Sequence, residues 1–370
     1  MLSAPSPERP APTNVSPAAA SPANASPAAA NPARPSLLYV GLAGSVEEEL
    51  AARAGVPFEA IESGQVRGMA LWVTAGNLLK AGRGVRQTTR LLARFQPDVV
   101  FVTGGFVAGP VVLAAWRAGV PVFIYLPDVE PGIAIRRMSR FARSVGVTFP
   151  EVARWFPGKA VVTGYPVRQE ILALAGQRAE ARRRLGLLAD LPVLLVFGGS
   201  RGARSINQAL AAALPALLPH CQVLHISGTL DWPAVEAQAQ TLPTELRLRY
   251  HAYPYLHDEM PLALAAADLV VARAGASTLG EFPALGLPSI LAPYPYSGQH
   301  QEVNADYLAQ RGAAVKLPDA HLTAQLAPAV LRLLHAPAEL AAMSQAAHAL
   351  AQPAAAEAIG RELQRLAQTG

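Results

Sequence analysis

Cysteine is nearly absent from this 370-residue chain, and all eight histidines lie at position 220 or later. The one thiol, Cys221, has no partner for an internal disulfide, which suits a reducing compartment. Its place in the apolar run CQVLHIS makes it a small core residue. No Ser/His/Asp or Cys/His arrangement stands out, and there is no P-loop. An Asp-x-Asp pair that would hold a divalent cation is also missing. The nearest approach is Asp128-Val129-Glu130, so neither a metal nor another cofactor is expected. The formal net charge is +5, and no nucleic-acid partner is expected.

Long apolar runs are scarce too. Val99 to Trp116 carries no charge, but TGGFVAGP interrupts it, so a strand, a glycine loop and a helix fit better than a membrane span. Residues 1–35 have almost no large apolar side chain. Their near-repetitive Ala, Pro, Ser and Asn cannot offset the entropy of ordering, and a disordered tail is expected. The basic start and continuous apolar centre of a secretory signal are lacking there.

From Ser36 onward, short apolar runs alternate with helical patterns: SLLYVGL, PDVVFVTGG and PVFIYL, then after a charged helix PVLLVFGGSRGA, CQVLHISG, DLVVARAGA and SILAPYP. Strands separated by helices imply parallel sheets in an α/β fold. The pattern occurs twice, with a break near Gly164–Arg184. The expectation is two Rossmann-like domains facing across a cleft, over 36–165 and 166–350, closed by a helix over 351–370. Ligands of such folds bind at the carboxyl ends of the strands.

Three glycine loops leave those strand ends. VTGGFVAGP fits a tight strand-to-helix turn as well as it fits a ligand loop. FGGSRGA combines Gly198, Gly199 and Gly202 with Ser200 and Arg201 at a helix start, where a hydroxyl and free N–H groups can bind phosphate oxygens. ARAGASTLGEFPALGLP clears space with Ala274, Gly275, Ala276 and Ser277, and puts Glu281 one turn into a helix. The Thr278-x-x-Glu281 spacing also reads as a capping box, so spacing alone leaves Glu281 as a helix cap or a ligand group. Downstream, His300, Gln301 and Asn304 lie near the same strand ends, with amides that suit sugar hydroxyls or a polar helix start.

Taken in order, VTGGFVAGP, GYPVR, FGGSRGARSINQAL, ARAGASTLGEFPALGLPSILAPYP and GQHQEVNA resemble the MurG family of glycosyltransferase family 28 over about residues 37–365. Those bacterial enzymes add N-acetylglucosamine to lipid I in peptidoglycan synthesis. The resemblance implies a GT-B fold, UDP-N-acetylglucosamine as donor, lipid I as acceptor and inversion at the anomeric carbon without a metal. It places Arg168 and Ser200 at the donor diphosphate, and Ala276, Ser277, Thr278, Leu279 and Gly280 along it through backbone groups. Glu281 falls at the ribose, Gln301 at the sugar and the backbone of His257 at the uracil. It implies a peripheral position on the cytoplasmic face of the bacterial membrane.

Three departures from the family pattern follow. Asp128, in YLPDVEPG, stands where the family has an amide that contacts substrate, and Tyr165 stands where it has Asn. The family's first strand and its Gly-Gly-Thr-Gly-Gly-His loop, with the candidate base, have no counterpart. On this reading the first domain is incomplete, transfer is impaired and the catalytic base is unassigned. Two other readings share the second-half motifs: a UDP-sugar-binding protein with little transfer, or another GT-B enzyme such as a glycolipid synthase or a 2-epimerase. An epimerase would need acid/base groups in the first domain, which has no histidine. Finally, residues 64–97 carry six basic and no acidic residues, interleaved with Met69, Leu71, Trp72, Val73, Leu78 and Leu79. That pattern predicts contact with an anionic membrane surface.

Overall fold

The computed structural model describes residues 36–63, 71–199, 202–296 and 300–369, and for 71–79 the backbone alone. The tail over 1–35 and both Ser200 and Arg201 lie outside the described residues. The strands are β1 (Tyr39–Gly41), β2 (Phe58–Ala60), β3 (Val100–Val102), β4 (Val122–Leu126), β5 (Ser144–Val147) and β6 (Ala160–Val162), then β7 (Val193–Phe197), β8 (Gln222–Ile226), β9 (Tyr250–Tyr253), β10 (Leu269–Ala272), β11 (Ser289–Leu291) and β12 (Ala314–Lys316).

Strands β7 to β12 build one parallel sheet in the order β12-β11-β10-β7-β8-β9. Both faces are covered, which is why β7 reads VLLVF without polar alternation. Val193 and Leu195 enter one core, Leu194 and Val196 the other. The helix Arg204–Leu217 covers the second face with Ile206, Leu210, Leu214 and Leu217, a one-sided helical stripe. Chain order reverses between β7 and β10. The loops leaving these neighbouring strands therefore flank the crevice where doubly wound sheets hold ligands.

The first domain is divided. β3-β4-β5-β6 form a four-stranded parallel sheet, while β1 and β2 pair separately, Tyr39 stacked on Phe58 at 5.8 Å. An unbroken doubly wound sheet would place a strand between β1 and β3. Here β3 is an edge: Val100 donates to Pro121 at 2.9 Å, and Phe101 is 43% exposed. The C-terminal helix Ala355–Thr369 returns to this domain rather than to the second. Its Ile359 and Leu366 pack on Phe123 and Tyr125 of β4, and buried Ser144 of β5 donates to Glu362 at 2.6 Å. Cys221 is fully buried, and burial pushes its thiol up to about 12.

Candidate functional site in the interdomain cleft

The loop after β7 is built on glycine geometry. Gly199 and Gly202 adopt left-handed backbone (φ 92° and 78°), and a side-chain carbon on Gly202 would overlap the Ser227 carbonyl. One on Gly198 would overlap the Ala203 backbone. The helix that follows begins at Arg204, and Ala203 before it supplies no side-chain cap to the first turn. A buried network supports the loop from behind. Asn207 donates to the Ser227 carbonyl and to Asp231, both at 2.8 Å, and its oxygen meets His225 Nε2 at 3.0 Å. The other His225 nitrogen meets the Tyr250 hydroxyl at 2.7 Å.

The loop after β10 differs from its sequence reading. Ala276–Leu279 form one 3-10 turn, and Glu281 is the first residue of the helix Glu281–Leu285, not one turn inside it. No capping box forms: the Thr278 hydroxyl donates to the Gly275 carbonyl at 2.7 Å. Glu281 instead meets Arg168, at the start of the neighbouring short helix Gln169–Leu172, at 3.5 Å, its side chain 14% exposed against 51% for Arg168. Burial raises the Glu281 pKa, and Arg168 opposes the shift. Thr278 and Leu279 are buried, so Ala276 to Gly280 present mainly backbone. Gly280 is required by contact, since a side-chain carbon there would overlap the Tyr165 ring. Burial, followed by the charges of Glu281 and Asp128, pushes the Tyr165 phenol up to about 12.

Asn304 joins the two domains. Fully buried, it accepts from the Val129 N–H at 3.1 Å and donates to Asp128 at 2.9 Å and to the Ala274 carbonyl at 3.1 Å. One helical turn earlier His300 faces Gly132, where an added carbon would lie 3.4 Å from His300 Nε2. Gln301 accepts from the Tyr294 N–H at 2.9 Å. Arg273 braces that segment: it donates to the Ala292 and Pro293 carbonyls at 3.0 and 3.3 Å, to Ser205 at 2.7 Å and to Asp319.

Asp128, Arg168, Gly280 and Glu281 thus converge on one cleft, with Gln301 on the helix that Asn304 anchors. His257 stands apart, exposed beyond β9 with its ring 4.5 Å from that of Tyr255. Ser200 lies outside the described residues. Sequence reasoning singled out Asn304 for sugar hydroxyls or a helix start, whereas its buried amide is spent on Val129, Asp128 and Ala274, and it missed Arg273 altogether. The i, i+4 spacing of His300 and Asn304 signalled a shared helix face, whereas nothing marked Arg273 as buried.

The chain matches the glycosyltransferase family 28 N-terminal domain over residues 33–147 and the C-terminal domain over residues 193–359. A relative from Roseiflexus sp. (strain RS-1) is 44% identical over 90% of this chain and 84% of its own length. It is named UDP-N-acetylglucosamine–N-acetylmuramyl-(pentapeptide) pyrophosphoryl-undecaprenol N-acetylglucosamine transferase. Among solved structures, Acinetobacter baumannii MurG superposes with a TM-score of 0.68 at 27% identity, covering 88% of this chain and 90% of its own. A UDP-GlcNAc 2-epimerase from Neisseria meningitidis, 13% identical with a TM-score of 0.60 over 89% of this chain and 91% of its own, shares the fold alone.

Proposed function

The chain belongs to glycosyltransferase family 28, and from that membership we infer that it moves N-acetylglucosamine from UDP-N-acetylglucosamine to lipid I, forming lipid II. The observation that carries this reading is the 44% identity, over 90% of the chain, to a transferase named for that reaction. The cleft supports it in detail. Gly198, Gly199 and Gly202 bring backbone close to a donor diphosphate, and Arg168 is the cation available to it at the Glu281 side of the cleft. When the donor enters, Arg168 turns to the diphosphate and the Glu281 carboxylate accepts the ribose hydroxyls. Gln301 meets the sugar, the backbone at His257 meets the uracil, and Asp128 lies on the acceptor side.

An acceptor hydroxyl attacks the anomeric carbon, the bond to UDP breaks with inversion, and Arg168 stabilises the charge that develops on the leaving diphosphate. No metal is needed for that charge, so EDTA leaves turnover unchanged. Peripheral binding to the cytoplasmic face of the membrane would bring the lipid acceptor to the first domain. Transfer of radiolabelled sugar from UDP-N-acetylglucosamine to a lipid I analogue tests the reading. Donor binding without transfer would favour a sugar-nucleotide-binding protein, and sugar epimerisation without transfer would favour an epimerase.

A further inference from the structure

Resting on that transferase reading, we propose that Asp128 is the general base that takes the proton from the acceptor hydroxyl. The leaving diphosphate belongs to the second-domain loops, so an inverting attack arrives from the first-domain wall of the cleft. That wall has no histidine. Its carboxylates are few, and most are committed elsewhere. Glu59 and Glu62 pair with Arg94 and Arg83, and Glu151 pairs with Arg311. Glu47, Glu48 and Glu49 sit in the first turn of a surface helix, and Asp98 precedes β3, at the opposite end of the sheet from the cleft. Asp128 and Glu130 alone follow the carboxyl end of β4, and of these Asp128 is the one bonded across the cleft.

Its geometry is that of an oriented base. Oδ1 accepts from Asn304 Nδ2 at 2.9 Å, and the same amide nitrogen donates to Ala274, at the root of the donor loop. The carboxylate is therefore aimed by a buried, fully bonded side chain that also ties it to the loop after β10. Among the described residues Oδ2 has no second partner and is left to receive a proton. The groups facing the carboxylate are the phenols of Tyr125 and Tyr165, with Glu281 and Arg168 beyond Tyr165, and the His300 imidazole beside Gly132.

In the step, the hydroxyl proton passes to Oδ2 as the oxygen's electron pair forms the new bond to the anomeric carbon. The anomeric carbon–oxygen bond to UDP breaks, and its electron pair stays on the diphosphate. The proton then leaves Asp128 for solvent. Reactants and products balance with no further reagent.

Asp128→Asn keeps an oxygen for Asn304 and removes the basic site. Loss of general-base catalysis lowers kcat about 10²- to 10⁴-fold. Affinity for UDP and the melting temperature stay at the unsubstituted values. The acidic limb of the kcat/KM profile disappears, and formate restores part of the rate to Asp128→Ala. Turnover of Asp128→Asn within threefold of the unsubstituted chain overturns the proposal. So does a loss of turnover matched by equal losses of UDP affinity and melting temperature, which would make Asp128 an interdomain strut. A deficit of the same size in His300→Gln, with Asp128→Asn active, would move the role to the imidazole. If the unsubstituted chain binds UDP-N-acetylglucosamine but transfers nothing, the transferase reading itself fails and takes the proposal with it.

Discussion

Glu281 decides between two roles that spacing alone left equal. In the structure it starts the helix instead of capping it, and its partner is Arg168 at the start of the adjacent short helix. A pair at 3.5 Å with one member half exposed contributes under about 1 kcal/mol to stability. A carboxylate accepting from a ligand hydroxyl is worth about 1.5–3 kcal/mol, roughly ten- to a hundredfold in affinity. Glu281→Gln should therefore weaken UDP-N-acetylglucosamine binding by that factor while melting temperature barely moves. Calorimetry and thermal unfolding read the two quantities, and the reverse pattern would return Glu281 to a structural role. Because burial raises its pKa, the carboxylate ionises at a higher pH than an ordinary glutamate. Donor affinity should rise with pH through that inflection, and the rise should vanish in Glu281→Gln. The Thr278-x-x-Glu281 spacing was legible. The Thr278 hydroxyl's choice of the Gly275 carbonyl was not, because it depends on a 3-10 turn that ends before the helix begins.

At the scale of elements, β8, β9 and the helix Arg204–Leu217 are joined by the network His225–Asn207–Tyr250. Burial pushes the His225 imidazole down to about 4. The folded chain excludes a proton that the unfolded chain accepts below its ordinary pKa of about 6.5. The stability tied to His225 is thus complete above that pH and is lost as pH falls toward 4. The difference is on the order of 3 kcal/mol. His225→Gln retains a donor and an acceptor without titrating. Urea midpoints measured from pH 7 to pH 4 should fall more steeply in the unsubstituted chain than in His225→Gln. Equal slopes would assign the acid sensitivity to other groups. His225 lies in an apolar run and gave no sign of such a partner set, since Asn207 and Tyr250 come from distant elements.

For the whole molecule, the basic stretch over 64–97 is modified by its surroundings. The part over 64–70, and the side chains of 71–79, lie outside the described residues. In the helix Leu71–Phe95, Arg83 and Arg94 pair with Glu62 and Glu59, while Lys80 and Arg86 have no acidic partner among the described residues. The helix Ala108–Arg117 packs beside it, and between them lies a cavity of about 450 Å³ lined by Ala81, Val85, Pro110, Leu113 and Arg117. Nearby, exposed Trp116 lies against Phe141 at 5.0 Å. No described helix is long and apolar enough to cross a membrane. We propose that this face rests on an anionic bilayer, each unpaired basic residue contributing about 1 kcal/mol at low salt. Co-sedimentation with vesicles should rise with anionic lipid and fall with salt. Trp116→Ala should weaken it at every salt concentration, and equal binding to neutral vesicles would refute the electrostatic part.

The sequence by itself determined the α/β alternation, the repeated glycine loops and the family, because all three rest on local pattern. Strand runs such as VLLVF and VFIYL have the apolar continuity of strands covered on both faces, and Gly198, Gly199 and Gly202 stand where backbone geometry admits no side chain. Only the tertiary structure decided which groups meet. The Arg168–Glu281 pair spans 113 positions and the Asp128–Asn304 bond 176, and no local propensity encodes separations of that length. The C-terminal helix is another case. Its amphipathic pattern asks for an apolar face to cover, but that face lies on β4, more than two hundred residues earlier, and Ser144 of β5 reaches it through Glu362 across 218 positions. Burial of an apolar face is not directional, so sequence specifies that a face must be covered, and chain topology specifies by what.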